Sequence, residues 1–112
     1  MARRSLERLE QALNEAASAD GRARAHYALG LFHDNNGREA AAIPHYEAAL
    51  ESGLAGLLRA ECLAWLASSL LKTGRPAEAL ARALAAESLQ PDAARTRFLA
   101  GLEKRIARRL SG

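Results

Sequence analysis

The segment Gly37-Arg38-Glu39-Ala40-Ala41-Ala42 returns as Gly74-Arg75-Pro76-Ala77-Glu78-Ala79, an offset of 37 residues. Leu29 returns as Leu66 and Ala49 as Ala86 at the same offset. A repeat of this period constrains the fold more than any single motif does. It points to stacked helical hairpins, in which no unit can bury its apolar face alone. Such a stack presents a surface for holding another molecule.

Composition narrows the class further. Hydrophobic residues make up 49% of the 112, enough to build a core, but Ala and Leu dominate them. Val is absent, and Ile occurs only at Ile43 and Ile106. Strands draw on β-branched and aromatic side chains, whereas Ala, Leu, Glu and Arg are strong helix formers. An all-α fold of one domain follows. Net charge is +3, unevenly placed: residues 92–112 carry +4 and the rest −1. A basic end of this size suits a solvated terminal helix better than a dedicated nucleic-acid binder.

Cys62 is the only cysteine, so no internal disulfide can form, and its apolar neighbours suggest a buried thiol. The first residues enter charged helix without an apolar leader, and no apolar run reaches membrane-spanning length. These features give a cytoplasmic expectation. Heavy use of Arg over Lys with abundant Ala suggests a GC-rich bacterial source.

Periodicity and breakers divide the chain into about six helices. Leu6, Leu9 and Leu13 form the stripe of the first, expected to end near Asp20-Gly21. The second is expected over Arg22 to Asp34 and stops at Asn35-Asn36-Gly37, residues that tolerate a left-handed helix end. The third covers Arg38 to Glu51, with Pro44 predicting a bend or a later start. The fourth spans Leu57 to Lys72. Pro76 opens the fifth at a favoured first-turn position, and Gln90-Pro91-Asp92 closes it after Leu89. Asp92 is a suitable cap for the sixth, Ala93 to Leu110, whose stripe is Leu99, Leu102, Ile106 and Leu110.

With these positions in place, the repeats resemble tetratricopeptide repeats. The first copy reads His26, Leu29-Gly30, His33, then Ala42 and Tyr46; the second reads Leu63, Leu66-Ala67, Leu70, then Ala79, Ala83 and Pro91. Small residues at Gly30, Ala67, Ala42 and Ala79 would let paired helices approach, with large ones filling the spaces between. His26 and His33, and then Leu63 and Leu70, stand where the family pattern has Trp and Tyr. Leu54 stands where a closing Pro is expected. The 37-residue offset exceeds the family's 34 by three, an excess assigned to the loop from Ser52 to Gly56. From Ala67 to Gly101 the spacing returns to 34. The resemblance implies an α-α superhelix of stacked antiparallel hairpins. It divides the chain into an N-terminal helix (1–20), a first repeat (22–54), a second repeat (57–91) and a C-terminal capping helix (92–110).

The residues offer little chemistry. His26 and His33 lie seven apart on one helix and His45 lies on the next, but they occupy packing slots and lack the ligand set of a zinc site. Packing is therefore preferred to metal binding, and neither a metal nor a cofactor is expected. There is no glycine-rich phosphate loop and no His-Glu-x-x-His pair; Asp34-Asn35-Asn36 lacks the later acidic ligand of a calcium loop. A non-enzyme is expected.

The resemblance places function in a concave groove lined by the first helix of each hairpin. Those faces would present Arg24, Tyr27, Leu31 and Asp34, then Glu61, Trp65, Ser68 and Lys72, then Arg95, Phe98, Leu102 and Arg105. Trp65 is the candidate anchor, because its helical neighbours Glu61, Ser68 and Ser69 are polar and Trp carries much interface energy; packing against a neighbouring helix is the competing role. Some tetratricopeptide proteins clamp a chaperone's C-terminal carboxylate, but Tyr27, Leu31 and Trp65 replace the residues required. The expectation is an adaptor that grips an acidic-hydrophobic peptide or helix of another protein. The alternatives are a nucleic-acid-associated protein using the basic last helix, ranked lower, and a self-assembling module, for which a homodimer is plausible.

Overall fold

A computed structural model describes residues 2–89 and 93–112. Pro91 and Asp92, expected to close one helix and cap the next, lie outside the described residues. Six α-helices follow in order: α1 (Ala2–Glu15), α2 (Ala19–Asn35), α3 (Glu39–Glu51), α4 (Gly56–Lys72), α5 (Pro76–Leu89) and α6 (Ala93–Ser111). Among the described residues there is no strand. The result is an all-α helical repeat. It divides into two compact units, Met1–Leu54 and Ala55–Gly112.

The 37-residue repeat is written into the backbone. α4 begins and ends 37 residues after α2. Gly37 and Gly74 both take positive φ, 72° and 83°. The Arg38 amide donates to the His33 carbonyl at 2.8 Å, and the Arg75 amide to the Leu70 carbonyl at 2.8 Å. The Gly37 amide reaches the Asp34 carbonyl at 3.0 Å, and the Gly74 amide the Leu71 carbonyl at 3.1 Å. Asn36 Nδ2 donates to the Phe32 carbonyl, and Thr73 Oγ1 adds a second hydrogen bond to the Ser69 carbonyl, which also accepts from the Thr73 amide. Both turns need a glycine in the left-handed region, where a Cβ is strained.

In the first unit, α2 and α3 form the central hairpin and α1 packs on α2. The second helix starts earlier than expected. Ser18 is its N-cap, and its hydroxyl accepts from the Gly21 amide at 2.9 Å. Asp20 and Gly21 thus sit inside the first turn of α2 instead of ending α1. Asp20 favours that turn because carboxylates suit helix N-termini, and it also pairs with Arg24 at 3.0 Å. α3 runs through Pro44 without interruption. Pro44 and Ala40 are both exposed, so water can meet the Ala40 carbonyl that a Pro44 amide would otherwise have bound.

In the second unit, α4 and α5 form the hairpin and α6 packs on both. Leu63, Leu66, Leu70, Leu99, Leu102 and Ile106 are buried, with Ala60, Ala67, Ala79, Ala83 and Ala86 fully enclosed between them. Small residues on facing helices let large ones interdigitate. Cys62 lies in this core, where burial pushes its thiol up to about 12 against the pull of Arg59 and Arg82, so it stays protonated.

Candidate functional site

The residues expected to line a groove fall into different environments. Tyr27 is 6% exposed and Ser68 7%, and Leu102 is fully buried. These three are packing residues and present no side chain to a partner. Tyr27 turns inward because its ring lies 6.1 Å from that of Tyr46 across the α2–α3 hairpin. Arg24 is exposed and engaged with Asp20, and Leu31 is half-buried. Asp34 accepts a hydrogen bond from the Tyr46 hydroxyl at 2.8 Å, which commits it to the hairpin's interior edge.

The second unit does bring expected residues together. Trp65 on α4 lies 5.7 Å, ring centre to ring centre, from Phe98 on α6. Glu61, Ala64, Trp65, Arg95 and Phe98 line an apolar cleft of about 230 Å³. Trp65 remains 42% exposed, so it packs on a neighbouring helix and faces outward as well. The packing role is thus present, and the rest of the ring is open to solvent. The cause is local: Leu63, Leu66 and Leu70 occupy the buried side of α4, leaving Trp65 to its edge.

A second cleft, of about 320 Å³, is lined by Leu71, Lys72, Arg105, Arg108 and Arg109. Lys72 and Arg105 were expected site residues; Arg108 and Arg109 were not. Their spacing of three and four from Arg105 was a sequence signal for one helical face, but a terminal basic run reads equally as a solvated helix end.

The first unit holds a cluster of three imidazoles. His26 Nδ1 and His45 Nδ1 are 3.1 Å apart, and the His33 ring stacks on that of His45 with centres at 5.6 Å. Arg38 Nε donates to His33 Nδ1 at 3.1 Å, so the His33 proton resides on Nε2. Burial, acting with Arg22 on His26 and with Arg38 on His33, lowers both imidazoles from their ordinary value; Glu10 partly offsets this at His33. His45 is lowered by burial and by the other two rings, again offset by Glu10. Among the described residues, no group of three or more His, Cys, Asp or Glu side chains is arranged to hold a metal ion. No helix among them is long and apolar enough to cross a membrane.

Comparison with known proteins adds one finding. A family model described as tetratrico peptide repeat matches residues 23–104, from the first turns of α2 to the middle of α6. No curated protein and no solved structure matches the chain.

Proposed function

The chain belongs to the tetratricopeptide repeat family, whose members mediate protein–protein interaction, and from that premise we propose that it is an interaction module without chemistry of its own. In this reading a peptide or helix of a partner protein lies along α4 and α6 of the second unit. The observation that carries it is the position of Trp65: a large ring, still half open to solvent, set against Phe98 at the mouth of an apolar cleft. Aromatic side chains in such positions dominate binding energy at protein interfaces. The cleft is too small for a folded domain but suits one apolar side chain of a partner.

Selection of a random peptide library on the immobilised full chain tests this reading. Trp65→Ala should weaken the enriched peptides by roughly thirtyfold, the effect of a hot-spot residue, while helicity and melting temperature change little. Unaltered affinity in that variant would remove Trp65 from the site.

A further inference from the structure

The basic cleft gathers cations from two helices. Lys72 comes from α4, and Arg105, Arg108 and Arg109 come from α6. Arg108 and Arg109 lie in the last turn of α6, where cations suit the helix dipole. Lys72 likewise lies in the last turn of α4, while Arg105 lies further in. The dipole of each helix suits its own terminal cations but does not account for Arg105 or for the two sets lining one cleft. No carboxylate lines the cleft. Arg105, Arg108 and Arg109 have no ion-pair partner among the described residues, whereas Arg3, Arg24 and Arg75 are paired with Glu7, Asp20 and Glu78. Gathering like charges is unfavourable until an anion arrives.

The two clefts lie along the same pair of helices. Lys72 is seven residues beyond Trp65 on α4, and Arg105 is seven beyond Phe98 on α6. At the rise of an α-helix, that places them about 10 Å apart. Resting on the interaction reading above, we propose that the basic cleft is the second contact point for the partner: it takes a carboxylate while an apolar side chain of the same segment fills the Trp65–Phe98 cleft. Arginine is suited to this because its planar fork meets a carboxylate through two parallel N–H···O bonds. An extended chain spans the gap in about three residues and a helix in about seven. The partner segment therefore carries an apolar residue and an acidic group at one of those separations. The carboxylate is supplied by Asp or Glu side chains or by a chain's C-terminus. A peptide fits better than a nucleic acid, because Glu61 lines the aromatic cleft and would oppose phosphates there, and the net charge is only +3.

The test uses the full chain and defined probes. Trp65 is the single tryptophan, so its emission reports the aromatic cleft, and the Nε–H resonances of Arg105 and Arg108 report the basic one. The probes are Ac-Leu-Gly-Ser-Glu-Glu-Glu with an amidated or a free C-terminus, the reversed peptide, the version with Lys in place of Glu, and a short oligothymidylate. The acidic peptides should perturb both reporters. Their affinity should fall about tenfold or more in R105Q/R108Q, as expected for lost charge-assisted bonds, and should weaken with added salt. Tighter binding of the free acid would identify a terminal carboxylate as the preferred source; equal binding would identify side chains. A Trp65 response that is indifferent to R105Q/R108Q overturns this proposal and leaves the interaction reading standing. Movement of the arginine resonances without any Trp65 response overturns the two-point contact and removes the aromatic anchor with it. An oligothymidylate that binds more tightly than every acidic peptide, or arginine resonances that no acidic peptide moves, overturns the proposal.

Discussion

The α2–α3 and α4–α5 hairpins share a backbone and differ in what fills it. At one pair of repeat-related positions the first hairpin has Gly30 and Tyr46, and the second has Ala67 and Ala83. A Cβ on Gly30 would lie 2.5 Å from the Tyr46 ring, which is fully buried. The small residue and the large one are thus a matched set, and a second set of two alanines occupies the same slots 37 residues later. Asp34, which accepts from the Tyr46 hydroxyl, becomes Leu71. His26 and His33 become Leu63 and Leu70, both buried. One hairpin is tied by hydrogen bonds and imidazoles, the other by apolar contact. This repeat thus fixes where space must be filled, and chemically different sets can fill it.

The largest expected effect comes from breaking the matched set. Gly30→Ala should destabilise the protein by about 2–3 kcal/mol, because the buried ring has to move. Thermal unfolding followed by circular dichroism measures this. Copying the second hairpin with Gly30→Ala/Tyr46→Ala should cost clearly less than the sum of the two single changes, since the clash vanishes with the ring. Additive losses would show that the two positions are not coupled.

Next in size is the polar tie. Tyr46→Phe keeps the ring and removes the bond to Asp34, an expected loss of about 1 kcal/mol in a denaturant titration. No loss would mean that Asp34 is as well satisfied by water.

The pH response separates the hairpins further. The three histidines are held below their ordinary pKa, so the folded chain favours their neutral forms. The unfolded chain takes up protons near pH 6.5. Stability from this cluster is present above that pH and is lost as pH falls through the lower folded values. Protonating His33 on Nδ1 also breaks its bond from Arg38. In His26→Leu/His33→Leu, which copies the second hairpin, the melting temperature should fall less steeply between pH 7 and pH 5. An equally steep fall would place the acid sensitivity elsewhere.

The second unit should show the opposite sign, and the smallest effect. Glu103 on α6 is held above the ordinary carboxylate range by burial and by Glu87 of α5, and its Oε1 is enclosed with no partner among the described residues. A raised carboxyl pKa gives stability that is present in acid and lost as pH rises through the folded value. Glu103→Gln should therefore stabilise the protein at neutral pH by a few tenths of a kcal/mol, as for relief of other like-charge pairs. The gain should vanish below the ordinary carboxylate range, where Glu103 is protonated in both states. A constant gain across pH would point to packing instead.

Much of the fold was legible in the chain because helix signals are local. Ala-Leu periodicity, the two Gly-Arg segments and Pro76 placed the helices, and their bounds agree closely except at Ser18, which caps α2 through the Gly21 amide and so puts Asp20-Gly21 inside that helix. Leu6, Leu9 and Leu13 marked the apolar stripe of α1 in the same way. The site was less legible. The face of a helix can be read from its spacing, but a residue at the border of that face, such as Tyr27 or Ser68, turns inward or outward according to the neighbour it meets.

The sequence by itself determined the helical repeat, the turn glycines and the chemical contrast between the two copies, because each rests on residues close in the chain. Tertiary packing alone decided that Tyr27 is core and Trp65 is rim, that three histidines meet, and that Lys72 shares a cleft with arginines more than thirty residues away. Those outcomes depend on which side chain first occupies a given volume between helices, and close packing allows one occupant there.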